Sequence, residues 1–162
     1  MPSSSLTDAA LAAIDHRLAD TDAALARNYP GDDGRRQPVH TVYLPADRFT
    51  PATAREWGES ALAAADAAGG LEEVARSVGL TDPALPDLVR RKLTDEPIED
   101  VRLDFEDGYG DRGDETEDAD VARAVDAVAA AVREGSAPPF IGIRFKCMEA
   151  PVRRRGLRTL DL

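Results

Sequence analysis

The sequence predicts an α/β protein built on a parallel sheet, and three observations carry this. Short β-branched and aromatic runs occur at Val39–Leu44, Val101–Phe105 and Phe140–Phe145. Longer helical stretches separate them, and strands that alternate with helices form βαβ units. Hydrophobic residues make up 43% of the 162 residues and charged residues 31%, a globular rather than a disordered balance. Aromatics are only 5%, so the core depends on close packing of Ala and Val.

Each element has its own signal. Leu11, Ile14, Leu18 and Leu25 recur at helical spacing, and Ser5 followed by Asp8 is a capping signal, so residues 6–28 read as a leading helix. Tyr29-Pro30-Gly31-Asp32-Asp33-Gly34 ends it in a polar turn, and residues 1–34 form a helical extension. Val39–Leu44 reads as a buried strand closed by Pro45. Thr50-Pro51 supplies an N-cap and a first-turn proline for a helix that stops at Gly69-Gly70. Residues 71–79 form a short helix, and Thr81-Asp82-Pro83 opens another with Leu85, Leu88, Val89 and Leu93 on one side. After the second strand comes an acidic, Gly-rich loop from Glu106 to about Glu115. A helix follows with a stripe of Val121, Val125, Val128 and Val132, ended by Gly135. Pro138-Pro139 leads into the third strand.

Charge and composition exclude several functions. A formal net charge of -11 argues against a nucleic-acid surface and against docking on anionic lipid. Arg153, Arg154, Arg155 and Arg158 form the one basic cluster, which reads as a solvated helix face or a small-anion site. With Cys147 as the only cysteine no intrachain disulfide forms, and the N-terminus lacks the features of a signal peptide. No run approaches the roughly 18 apolar residues of a membrane span, so a cytoplasmic location is expected.

Leu103-Asp104-Phe105-Glu106-Asp107-Gly108 resembles the hydrophobic–Asp–hydrophobic–Glu–Asp–small signature of citrate lyase beta subunits and HpcH/HpaI aldolases. In that superfamily the signature ends the second strand of a barrel, and a Val-Arg-hydrophobic-Asn pattern ends the third. Gly142-Ile143-Arg144-Phe145-Lys146 stands in that place, with Lys146 where Asn is common. The first strand runs into Pro45, as in the family. Residues 36–162 are similar to an aldolase/citrate lyase-like bacterial branch, with a helical insertion at about 70–95. The resemblance implies the N-terminal part, about three strands, of a (β/α)8 TIM barrel over residues 35–162, truncated at its C-terminus. A complete barrel takes roughly 250 residues.

The implied chemistry is carbon–carbon bond cleavage or formation through an enolate, on a 2-oxo acid or an acyl-CoA-type substrate. An enolate needs fixed positive charge, which a divalent metal and an arginine supply. Arg144 ends a strand, where barrel active sites lie, and Glu106 and Asp107 end the neighbouring one. The resemblance therefore implies Arg144, Glu106 and Asp107 as catalytic and Arg144 with Lys146 as substrate-binding. It places Asp104, Glu106 and Asp107 around the waters of a Mg²⁺ whose direct ligands are expected beyond Leu162. Without the resemblance, the acidic loop reads as solvated surface and Arg144 as an ion-pair partner.

Other signals carry less. Gly108-Tyr109-Gly110-Asp111-Arg112-Gly113 matches a dinucleotide-binding pattern, but the surrounding acids would repel a diphosphate. The acidic stretch 104–120 fails the EF-hand register. His16 and His40 are isolated, Cys147 reads as a small buried hydrophobe, and Trp57 and Tyr43 as core residues. Three readings compete: a fragment of a Mg²⁺-dependent lyase or aldolase, a truncated non-catalytic relative serving as an interaction module or surviving as a decaying reading frame, and an acidic cation-binding module. An open sheet edge makes the isolated chain marginal or self-associating, so a homo-oligomer fits.

Overall fold

A computed structural model of the chain describes residues 7–162. The backbone divides into two compact units, with the boundary after Gln37. The first contains helix α1, Asp8–Asn28. Its N-cap is Thr7, whose hydroxyl accepts from the Ala10 N–H at 3.2 Å. The expected cap, Ser5, lies outside the described residues. No residue of α1 is buried, and its leucines are about half exposed. The polar turn that follows is pinned by Asp32 and Asp33, which accept from the Gly34 and Arg35 N–H groups.

The second unit is α/β. Strands β1 (Thr41–Pro45), β2 (Asp100–Asp104) and β3 (Phe140–Arg144) form one parallel sheet in the order β1-β2-β3. A 3-10 turn (Ala46–Arg48) and helices α2 (Thr53–Ala67), α3 (Leu71–Ser77) and α4 (Leu85–Asp95) connect the first two strands. Helix α5 (Asp114–Glu134) joins β2 to β3, and α6 (Arg153–Asp161) follows. Gly135 ends α5 in the left-handed conformation at φ 72°, which costs a glycine little. Among the described residues no helix is long and apolar enough to cross a membrane.

Several local expectations failed, among them the core placement of Trp57, which is exposed. The Thr50-Pro51 start gives way to a helix beginning at Thr53, because the Thr50 N–H bonds the Thr53 hydroxyl at 2.9 Å and holds a turn before the helix. Strand β1 is not buried throughout: only Leu44 is, since β1 lies at the sheet edge and one face of it is open. Leu88 is exposed on α4. Val125 and Val132 are exposed on α5, whose buried stripe is Glu117, Val121, Ala124 and Ala131. Alanines there allow the helix to approach the sheet closely, and Val125 and Val132 flank that seam.

Period-2 alternation gives the sheet two unlike faces. Leu44, Val101 and Leu103 face the helices and form the core with Phe105, Val121 and Ala124. Tyr43, Arg102 and Gly142 share one register level on the other face, and Pro45, Asp104 and Arg144 share the next. That second level is the carboxyl edge of all three strands.

Candidate functional site

The site grows from one aspartate. Asp104 is buried at the end of β2, and its two oxygens accept from the Glu106 and Gly108 N–H groups, each at 2.8 Å. Gly108 makes this geometry feasible: a Cβ there would lie 2.6 Å from Asp104 Oδ2. The glycine of the signature therefore serves a close backbone approach to the carboxylate, not a phosphate cradle. Gly110 and Gly113 take positive φ of 80° and turn the loop into α5.

Arg144 ends β3 beside that carboxylate. Its Nε lies 3.2 Å from Asp104 Oδ1 and 3.1 Å from Glu106 Oε2, although the N–H is aimed at neither in hydrogen-bonding geometry. Its Nη2 donates to Asp107 Oδ2 at 2.5 Å. The guanidinium also lies 5.0 Å from the Tyr43 ring centroid, within cation–π range. Tyr43 is half exposed rather than a core residue. Arg144, Asp104, Glu106 and Asp107 are thus brought together at the carboxyl edge. Glu106 also accepts from the Cys147 N–H at 2.9 Å, tying the loops after β2 and β3 together. Cys147 itself is exposed.

Lys146 sits elsewhere. Its Nζ is mostly buried and donates to Glu117 Oε2 at 2.6 Å and to the Phe105 carbonyl at 3.1 Å. Glu117 is 1% exposed and also accepts from the Thr159 hydroxyl at 2.6 Å, with Arg155 Nε 3.2 Å away. Arg155 Nη2 reaches Asp118 Oδ1 at 2.7 Å, and Arg158 grips Asp118 as well. The Arg158 hydrogen bond holds the Asp118 carboxyl below its ordinary pKa, with burial opposing it and Arg155 adding to it. The expected anion site on the basic cluster is thereby corrected for Arg155 and Arg158. They are taken by acids of α5, so α6 docks through them.

Glu117 and Thr159 had no place in the sequence reading, and Arg155 stood there only in the basic cluster. One signal could have found Glu117: it stands four residues before Val121, and therefore on the buried face of the helix. Tyr109 was also missed. Its ring is 5.5 Å from that of Phe105, and its hydroxyl donates to Asp120 at 2.6 Å. Burial first, and then the Asp120 carboxylate, push the phenol above its ordinary pKa.

Among the described residues, no group of three or more His, Cys, Asp or Glu side chains could hold a metal ion. Both oxygens of Asp104 are engaged by the backbone, and Glu106 and Asp107 flank Arg144. These residues do not fit a resident Mg²⁺ as direct ligands.

Residues 18–162 match the family described as Domain of unknown function (DUF6986). The chain belongs to the DUF6986 family. The match spans the whole sheet, both strand-end motifs and α6, so the carboxyl-edge cluster is part of the DUF6986 region. No curated protein and no solved structure matches this DUF6986 chain.

Proposed function

We propose that this chain carries the substrate-anion edge of a carbon–carbon lyase or aldolase acting on a 2-oxo acid or acyl-CoA-type substrate through an enolate. In this reading the three strands are the first part of a (β/α)8 barrel of the citrate lyase beta-subunit/HpcH–HpaI type. One observation carries it: Arg144 stands at the carboxyl edge of the sheet, in register with Asp104, with three carboxylates and the Tyr43 ring around it.

The chemistry follows from the guanidinium. A guanidinium is a permanent cation and presents a planar fork that matches a carboxylate or an enolate oxygen. The surrounding acids fix its orientation, so little freedom is lost when substrate arrives. Glu106 and Asp107 are assigned to that orienting role, with Asp104 as the buried anchor. Lys146 acts indirectly, by holding the Phe105 carbonyl and hence the loop that carries Glu106. The cluster itself is acidic: Asp104, Glu106 and Asp107 outweigh Arg144. Mg²⁺ enters the reading through the family resemblance alone, since these residues do not fit it as direct ligands.

Calorimetric titration of oxaloacetate or pyruvate into the purified chain, with and without Mg²⁺, tests this. Saturable binding that Arg144→Ala weakens about 10–100-fold, the worth of a charge-assisted hydrogen bond, supports it. Binding unchanged in a folded Arg144→Ala variant refutes the assigned role.

A second reading, a non-catalytic interaction module, is favoured by an apolar groove of about 360 Å³ along β3, lined by Phe105, Val125, Val128, Ile141, Ile143 and Leu160. The third, an acidic cation-binding module, gains no such support, because the acids of the loop already serve Arg144 and the backbone.

A further inference from the structure

We infer that Arg102 is a second anion anchor on the open face of the sheet, and that it selects a dicarboxylate over a monocarboxylate. This rests on the reading of Arg144 as the first anchor.

Arg102 and Arg144 lie on the same face, on adjacent strands, one side-chain level apart. At about 3.3 Å per residue and about 4.8 Å between strands, their Cα atoms are about 8 Å apart. Two long side chains at that spacing can hold the two ends of a short dicarboxylate.

Three features fit Arg102 for this use. Its Nε and Nη2 donate to Asp100 Oδ2, at 3.1 and 2.9 Å, so the side chain is ordered before any ligand arrives. Asp100 is 2% exposed and is itself fixed by the Thr41 hydroxyl at 2.7 Å, so the anchor is rigid. Arg102 Nη1 has no hydrogen-bond partner among the described residues. It lies over Gly142, where a Cβ would come within 2.3 Å of it. Glycine in a strand interior weakens the strand, and this one clears the space that the guanidinium occupies.

Because Asp100 neutralises Arg102 overall, selection operates through the direction of the free N–H donor rather than through net charge. The expected effect is that of one charge-assisted hydrogen bond, about tenfold.

The experiment titrates succinate and oxaloacetate, and in parallel acetate and pyruvate, into the full chain at fixed Mg²⁺. Each dicarboxylate should bind about tenfold more tightly than its monocarboxylate counterpart. Arg102→Gln should erase that gap and leave pyruvate affinity within about twofold. Gly142→Ala, which displaces the guanidinium without removing it, should do the same. Circular dichroism confirms that both variants fold, and Arg102→Lys provides the milder change if Arg102→Gln does not. Equal binding of both series, loss of both alike in Arg102→Gln, or no dicarboxylate binding overturns the inference. Succinate binding that depends on Arg102, with no binding of either oxo acid, would keep the second anchor and discard the lyase reading. Oxo-acid binding through Arg144 with no dicarboxylate preference would do the reverse.

Discussion

Gly108 and Glu117 show how single residues set the site. At Gly108, a Cβ would collide with Asp104 Oδ2, and the aspartate could not keep both of its backbone hydrogen bonds. Gly108→Ala should therefore shift Asp104 and loosen Arg144. The expected outcome is a loss of anion affinity of about tenfold or more, with a drop in stability of about 1–3 kcal/mol, read by calorimetry and urea denaturation. Glu117 offers the opposite test, since its loss leaves Lys146 and Arg155 without their shared buried acid. Removing one partner of a buried pair costs about 3–5 kcal/mol, so Glu117→Ala should be the most damaging single change near the site. Glu117→Gln, which keeps the shape and a hydrogen-bonding group, should cost less. Tyr109 sets a pH limit. Its folded pKa is raised, so the stability it contributes is complete below the ordinary phenol value near 10 and is lost as pH rises above it. Thermal denaturation between pH 8 and 11 should show a decline that Tyr109→Phe flattens.

At the level of elements, the strands were plain in the sequence and the seams were not. Three β-branched runs bounded by Pro and Gly gave the parallel sheet, because the chain marks strand ends locally with residues that cannot continue them. Arg144, Asp104, Glu106 and Asp107, singled out by the family resemblance, lie together because they end or follow neighbouring strands. What stayed hidden depends on contacts distant in sequence. The valines of α5 looked like its buried stripe, and Val121 is buried, yet Val125 and Val132 are exposed while Ala124 and Ala131 are buried where the helix meets the sheet. The arginines of α6 looked free, since nothing local reveals that Asp118 lies opposite them, forty residues away. Lys146 looked available for the same reason. Gly156 completes that docking: a Cβ would stand 2.4 Å from the Lys146 carbonyl, a backbone atom that cannot swing aside. In an exposed helix, Gly→Ala would gain about 1 kcal/mol from propensity. Gly156→Ala should instead destabilise and raise hydrogen exchange across α6, and a net stabilisation would show that α6 is free to shift.

At the scale of the molecule, two opposing features decide its behaviour in solution. The edge of β3 and the groove beside it expose Ile143, Val125 and Leu160, an apolar strip along a strand that pairs on one side only among the described residues. Such an edge is a template for pairing with another chain. Against it stands a net charge of -11, which repels copies of the chain from one another at neutral pH. Salt separates the two contributions. The Debye length falls from about 10 Å at 0.1 M to about 3 Å at 1 M, so repulsion fades while apolar burial does not. Sedimentation velocity at fixed protein concentration should therefore show more association at 1 M salt than at 0.1 M. Lowering the pH toward the sequence pI of 4.6 should act in the same direction by discharging the acids. Ile143→Lys places a charge near the carboxyl end of the β3 edge and should hold the chain monomeric under both conditions. Association that weakens with salt, or that ignores Ile143→Lys, would mean that charged contacts or another surface bring the copies together.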